Sequence, residues 1–489
     1  MILSWLLACP LIGLLVLCGV KRTAVTMIRL IALGATGLAL MVSLLVLIDF
    51  QPALAGIQFQ EHRAWIPQLQ IFYHLGVDGL SLPMVVLTTL LSFLACVASF
   101  SITERHKEYF ILYLLLEVGM LGTFLALDLF LFYVFWEVVL VPMYFLIGIW
   151  GGGRREYSAF KFFVYTLAGS LFMLLGILAL YLHPNGRTFD MLELAARGHA
   201  FPLGFQQWLF VAFFLGFAIK VPIFPFHTWL PDAHVDAPTP GSVILAGVLL
   251  KMGGYGFFRI SYPIFPEAAQ WFAWTMALLG AINIVYGAFV ALAQTDFKRL
   301  VAYSSVSHMG FVLLGLASLT PEGMNGALLQ MFSHGLITGG MFLLVGVLYD
   351  RAHTRELSAF GGLGARLPFY AASLIFFSLA SLGLPALSGF VAEFLSLVGA
   401  FQVPQLQALT MLSVLGILLA AAYMLKVIRQ VLLGPLNEKW RALTDMTPRE
   451  LISVVPLAVL VLAVGVYPLF VLWIQDPAIR RLIAHVMAQ

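Results

Sequence analysis

Lys220 stands in WLFVAFFLGFAIKVPIFPFHTWLP, in the middle of an apolar run and two residues before Pro222. A lysine at the centre of a bilayer costs about 2.5–3.5 kcal/mol on insertion scales. A helix break beside it costs more, unless the freed backbone lines a cavity or a neighbouring helix. A charge and a break in one place mark ion or proton pathways in transporters. Seven further ionisable residues lie inside or at the edge of apolar runs: Glu117, Glu137, His227, Lys251, His308, His334 and Glu393. Amines, imidazoles and carboxyls buried together can pass protons reversibly near neutral pH.

Glu137, in LFLFYVFWEVVLVPMYFLIG, would take up a proton if left alone in hydrocarbon and would stay charged beside an ammonium. Lys220 is the candidate partner. The pair reads either as a static link between two helices or as a switchable contact that decides when Lys220 gives up its proton. Lys251, in SVILAGVLLKMGGYGFF, lies about 15 Å of helix rise from either end of its run. That is too far for its side chain to snorkel to water, so it reads as a relay amine. Glu393 (SGFVAEFLSLVG) follows a second break. His308 and His334 have serine neighbours on two adjacent apolar helices. Each reads equally as a hydrogen-bonded packing residue or a relay imidazole, as does His227 beside the first break. Glu117 is an accessory carboxylate on the uptake or coupling side. Lys426 either snorkels or ends the relay.

These residues need helices around them, and the composition supplies them. Of 489 residues 62% are hydrophobic and 10% charged, against about 25% charged in a soluble domain. The net charge of +3 is spread over short loops and does not suggest nucleic-acid binding. Cys9, Cys18 and Cys96 lie in apolar runs without metal-ligand spacing and read as inert buried thiols. The N-terminal run lacks a basic region ahead of it, and Lys21 and Arg22 follow it; it reads as a first membrane helix rather than a signal peptide. No phosphate-binding loop, dinucleotide fingerprint, haem or cluster pattern is present. Neither a cofactor nor a metal is therefore expected on this chain, and its energy must come from an ion gradient or from partner subunits.

The periodicity predicts an all-α polytopic membrane protein with 14 helices, near 2–20, 29–49, 78–101, 109–127, 129–149, 158–182, 206–227, 241–260, 269–293, 300–319, 323–349, 368–401, 407–433 and 451–474. The seventh breaks at Pro222 and Pro225. The twelfth breaks in LASLGLPALSGF at Pro385, Ser388 and Gly389. The breaks are five helices apart, and an odd offset inverts topology. One transmembrane domain is expected: helices 1–3 (1–108), two inverted five-helix repeats (helices 4–8, 109–260, and helices 9–13, 269–433), and helix 14 (451–474). Seventeen of the 26 Lys and Arg residues fall in or beside the loops after odd-numbered helices, and six in or beside the others or the C-terminus. That bias puts both termini on the outer face.

The segments FWEVVLVPMYFLIGIWGG, FAIKVPIFPFHTWLPDAHVDAPTPGSVILAGVLLKMGGYG and ALAQTDFKRLVAYSSVSHMGF resemble the antiporter-like subunits of the proton-pumping NADH–quinone oxidoreductases, respiratory complex I. The resemblance covers nearly the whole chain. Glu393 points to the M-type (chain 4) branch, because sister subunits carry a lysine there, and a chain ending after helix 14 has no room for the lateral helix of the L-type branch. The resemblance implies a proton-translocating role in a bacterial inner membrane. It implies Glu137–Lys220 as the coupling pair, Lys251 as the central lysine, His308 and His334 on the hydrated axis, and Glu393 near the outward side. FMN, iron–sulfur clusters and quinone would sit in partner subunits. Neighbouring antiporter-like subunits, the L-type lateral helix and the lipid bilayer would be the contacts. A subunit of a multisubunit sodium/proton antiporter, of a membrane hydrogenase, or a scaffold with a vestigial axis are the competing readings. The intact Glu–Lys–Lys–Glu set argues against the last.

Overall fold

The computed structural model describes residues 1–54 and 56–488. Among them, thirteen helices are long and apolar enough to cross a membrane. Two shorter apolar helices, Pro368–Ser381 and Ser388–Phe401, fall where a broken twelfth span is expected; spans are numbered below with this pair as the twelfth. The chain is an α-helical integral membrane protein.

Burial sorts the spans into layers. In their most apolar stretches, Thr239–Ile264 and Pro321–Ala352 are 100% buried and Phe297–Ser318 is 94% buried. Ile2–Gly19, Val25–Asp49, Pro404–Leu432 and Pro448–Val466 are only 33% buried and turn apolar side chains outward. The eighth, tenth and eleventh spans are therefore the core of the bundle, and they carry Lys251, His308 and His334. The polar residues sit where hydrocarbon is most distant.

Side chains meet the backbone freed at the seventh-span break. The seventh span stops at Lys220 and resumes as the helix Trp229–Asp236. Asn283, buried on the ninth span, accepts from Phe224 N–H (2.7 Å) and donates to the Pro222 carbonyl (3.2 Å). The Trp229 indole donates to the Ile219 carbonyl at 2.9 Å. Backbone freed inside a membrane costs several kcal/mol per unmet group, and these bonds remove that cost. The twelfth-span break lies against Gly465 of the last span, where a Cβ would come within 2.2 Å of the Ala386 carbonyl.

The structure departs from the sequence expectation in four places. The stretch between the second and third spans folds as an antiparallel hairpin, β1 (Gln58–Ile66) and β2 (Ile71–Val77). It is held by the Leu127 N–H on the His74 carbonyl (2.9 Å) and the Phe72 N–H on Asp128 Oδ2 (3.0 Å). The final helix, expected over 451–474, is two: Pro448–Val466, then Leu469–Met487. Pro468 lacks the N–H that would continue the first. The second runs across the ends of other spans at the hairpin end of the bundle, with Gln475 on the Asn325 carbonyl (2.8 Å) and His485 Nε2 2.9 Å from the Pro263 carbonyl. The eighth span contains two π-turns, Leu245–Leu249 and Phe257–Ser261. The fifth is interrupted at Val139, between Leu129–Val138 and Leu140–Trp150.

Replacing Asn283 by Leu leaves the Phe224 N–H and the Pro222 carbonyl unmet. A buried unsatisfied group costs about 1–3 kcal/mol, so Asn283→Leu is expected to lower the thermal midpoint of the detergent-purified chain. Asn283→Asp keeps the acceptor for Phe224 and is expected to lose less.

Candidate functional site

The π-turn Leu245–Leu249 sits directly before Lys251 and perturbs the local hydrogen-bond ladder, as such turns do at functional sites. The Lys251 Nζ donates to the Ala246 carbonyl one turn back and lies 2.7 Å from His334 Nδ1. The helix supplies one partner of its own lysine, and the eleventh span supplies the other. Gly253, two residues on, lets the seventh span approach: a Cβ there would lie 2.8 Å from the Phe217 carbonyl and 3.0 Å from Lys220 Cβ.

The His334 ring lies 5.7 Å from that of His308, centroid to centroid. His308 Nδ1 is 2.7 Å from Glu393 Oε1. Its Nε2 is 3.1 Å from Ser381 Oγ and 3.3 Å from the Tyr423 hydroxyl. Gln330 donates to the same Glu393 oxygen at 3.1 Å. Lys251, His334, His308 and Glu393 thus form one buried line through the eighth, eleventh and tenth spans to the twelfth.

Lys220 and Glu137 stand apart from that line and from each other. The Lys220 Nζ has no hydrogen-bond partner among the described residues. It lies over the Trp136 ring at 5.1 Å and the Phe162 ring at 5.9 Å, a cation–π seat. Glu137 faces Tyr133 and Ser170 as well as Lys220, and one of its oxygens has no hydrogen-bond partner among the described residues. The expected ion pair is open in this conformation.

The accessory residues divide. Lys426 caps the ninth span, donating to the Leu292 and Gln294 carbonyls at 2.8 Å each; its amine is spent on a helix end. His227 packs among Phe224, Tyr286 and Tyr303 in the seventh-span break. Glu117 is fully buried with neither oxygen partnered among the described residues.

Sequence reasoning missed His234. It is fully buried on Trp229–Asp236, stacks on Phe342 at 4.5 Å, and lies within electrostatic reach of both Lys298 and Lys251. Lys298, buried, donates to the Ala237 carbonyl at 2.5 Å. Beside it, at the end of the bundle away from the hairpin, a cavity of about 530 Å³ is lined by Asp236, Lys298, Asp350, His353 and Arg355 among others. Both His234 ring nitrogens lack a hydrogen-bond partner among the described residues. The signal available was its place, three residues before the Ala-Pro that opens the eighth span.

Residues 126–420 match the family described as NADH:quinone oxidoreductase/Mrp antiporter, transmembrane. The chain belongs to that family. The matched segment of this NADH:quinone oxidoreductase/Mrp antiporter chain contains Glu137, Lys220, Lys251, His308, His334 and Glu393, and leaves Glu117 and Lys426 outside. NADH-quinone oxidoreductase subunit M of Rhodobacter capsulatus is 49% identical over 467 residues, 93% of this chain and 90% of that relative. Among solved structures, a chain of respiratory complex I from Thermus thermophilus with bound NADH superposes with a TM-score of 0.89 at 33% identity, covering 99% of this chain and 100% of that one. A chain of the Mrp complex of a Dietzia species superposes at 0.84 with 22% identity, covering 100% of each, a likeness of fold.

Gly253→Ala is expected to push the eighth span off Lys220 and to cost about 1–3 kcal/mol as overpacking. Thermal unfolding of the purified chain reads that loss; an unchanged midpoint would mean the two helices have slack there.

Proposed function

We propose that this chain is the M-type proton-translocating membrane subunit of an NADH–quinone oxidoreductase. The observation that carries the reading is the buried line Lys251–His334–His308–Glu393, in which successive groups lie 2.7 Å (Lys251–His334), 5.7 Å between ring centroids (His334–His308) and 2.7 Å (His308–Glu393) apart. Its outer steps are hydrogen-bond contacts, and a water or a small ring movement closes the step between the imidazoles. The family model covers Mrp antiporters as well, but the relative at 49% identity is an NADH-quinone oxidoreductase subunit M while the Mrp chain is 22% identical, which favours the first reading.

Electron transfer takes place in partner subunits, which hold the FMN, iron–sulfur clusters and quinone. Its energy reaches this chain as a change of charge beside Glu137 and Lys220. Closing that pair holds a proton on Lys220. Opening it withdraws the counter-charge, leaves the ammonium on aromatic faces, and drives the proton towards Lys251. A charge pair at about 4 Å in an effective dielectric of about 20 is worth about 4 kcal/mol. Moving one proton against the membrane costs about 2.3 kcal/mol per 100 mV, so breaking one pair suffices for a step. Uptake runs from the cavity at Lys298 through His234, and release runs past Glu393.

The same reading places the chain in a bacterial inner membrane. Both termini, the hairpin and the helix Leu469–Met487 face outward, as the Lys and Arg distribution supports. Residues 109–260 and 269–433 are the two inverted repeats. Neighbouring antiporter-like subunits, with the lateral helix of the L-type subunit, and lipid surround it.

In an assembled complex, Lys220→Ala is expected to abolish proton pumping coupled to quinone reduction while leaving assembly intact. Undiminished pumping, read by a pH-sensitive dye in inverted vesicles, would sink the mechanism. Lys251→Arg places a cation that does not deprotonate at the centre, and pumping is expected to be lost there too.

A further inference from the structure

We infer that His62, His74 and Asp190 form a binding site for a zinc-class divalent cation on the hairpin. No residue of this site belongs to the proton axis, so the inference stands whatever becomes of the transport reading. The sequence gives no sign of it, because the three residues come from positions 62, 74 and 190 and meet only through the fold.

His62 on β1 and His74 on β2 are direct partners across the hairpin. Side chains so paired have Cβ atoms about 4.5–5.5 Å apart, close enough for two imidazoles to share one ion. Their rings meet edge to face at 4.5 Å. Asp190 caps the short helix Met191–Ala196 and brings its carboxylate to the pair. Asp190 Oδ2 lies 2.6 Å from His74 Nδ1 and 4.0 Å from His62 Nε2. One ligand atom from each of the three residues lies within 4.8 Å of the other two. Bonds of about 2.0–2.1 Å in a tetrahedron put ligand atoms about 3.4 Å apart. The observed separations fall on both sides of that value: His62 has to close in by about half an ångström to an ångström, and the ion has to part His74 Nδ1 from Asp190 Oδ2 by about 0.8 Å as it replaces the proton between them. The His62 side chain is 45% exposed and rests on the face of Phe72, so it can swing without moving the core. His74 and Asp190 are buried side by side, and the separation they need is a side-chain rotation rather than a backbone shift.

The outer contacts are those a metal-binding histidine needs. His74 Nε2 lies 2.6 Å from the Gln60 amide nitrogen. With the cation on Nδ1, the ring carries its proton on Nε2, and the Gln60 amide turns its oxygen to accept it. Ligating histidines regularly donate their second N–H in this way. Asp190 Oδ1 accepts from the Leu192 (2.9 Å) and Glu193 (3.0 Å) N–H groups, leaving Oδ2 for the ion. The proton that His74 Nδ1 now shares with Asp190 passes to solvent on binding. Two imidazoles and one carboxylate favour Zn²⁺ and its neighbours over Mg²⁺ or Ca²⁺, which take oxygen ligands. The exposed side at His62 leaves a position for water. A bound ion ties both strands to the segment ahead of the seventh span.

The test uses the full chain in mild detergent, carrying no polyhistidine tag and stripped with a chelator. Equilibrium dialysis against Zn²⁺ with elemental analysis, and titration with Co²⁺ followed by its visible absorption, read the site directly. The expected result is one equivalent bound and a higher thermal midpoint with Zn²⁺. His62→Ala should bind at least tenfold more weakly with an unchanged metal-free midpoint, and Gln60→Ala about 10- to 100-fold more weakly without removing a ligand. Binding that is absent in the wild-type chain, or equal in wild type and His62→Ala, overturns the proposal.

Discussion

An ammonium deep in a bilayer must receive its partners from the protein, and the fold is arranged around that demand at Lys251. Its own helix gives up the Ala246 carbonyl at a π-turn, and the eleventh span gives His334. Neither partner is a carboxylate, so the lysine is held by hydrogen bonds without a fixed counter-charge. A carboxylate beside it would hold the proton permanently. Glu393 stands two imidazoles away, at the far end of the line, and does not touch the lysine.

The same rule governs the breaks. A helix interrupted in hydrocarbon survives only if its freed backbone groups are met. Asn283 and Trp229 meet them in the seventh span, and close contact with Gly465 packs the twelfth. Lys220 ends the first half of one broken span, and Glu393 lies in the second half of the other. A short helix end is easier to move than a continuous helix, so in the proposed mechanism the groups that change partners stand where the chain is least continuous. Lys251, His308 and His334 stand on the enclosed core spans instead, the eighth bent by π-turns but crossing without a gap.

Much of this was legible in the sequence. Length and apolarity placed the spans, because in lipid a helix must satisfy its own backbone. Lys220, Lys251 and Glu393 were visible because charge in an apolar run has no cheap structural explanation. His234 was not, because it lies in a polar-looking stretch, PDAHVDAPTP, that reads as a loop. The hairpin was missed although Gln58–Ile66 mixes polar and apolar residues as a strand at a surface does; between two strong membrane helices its pattern is weak. The helix Leu469–Met487 was merged with its neighbour because Pro468 falls inside one continuous apolar run. The open state of Glu137 and Lys220 could not be read at all. Spacing tells which charges can meet, and conformation tells whether they do.

The central claim is that protons pass along the histidine line between Lys251 and Glu393. The most direct measurement is the ratio of protons moved to electrons transferred in proteoliposomes holding the assembled complex with His334→Phe. That change keeps a ring of similar size and removes the contact to Lys251. The account predicts a lower proton-to-electron ratio with the complex still assembled and still reducing quinone. An unchanged ratio at intact turnover would show that protons cross this chain by another path, or do not cross it.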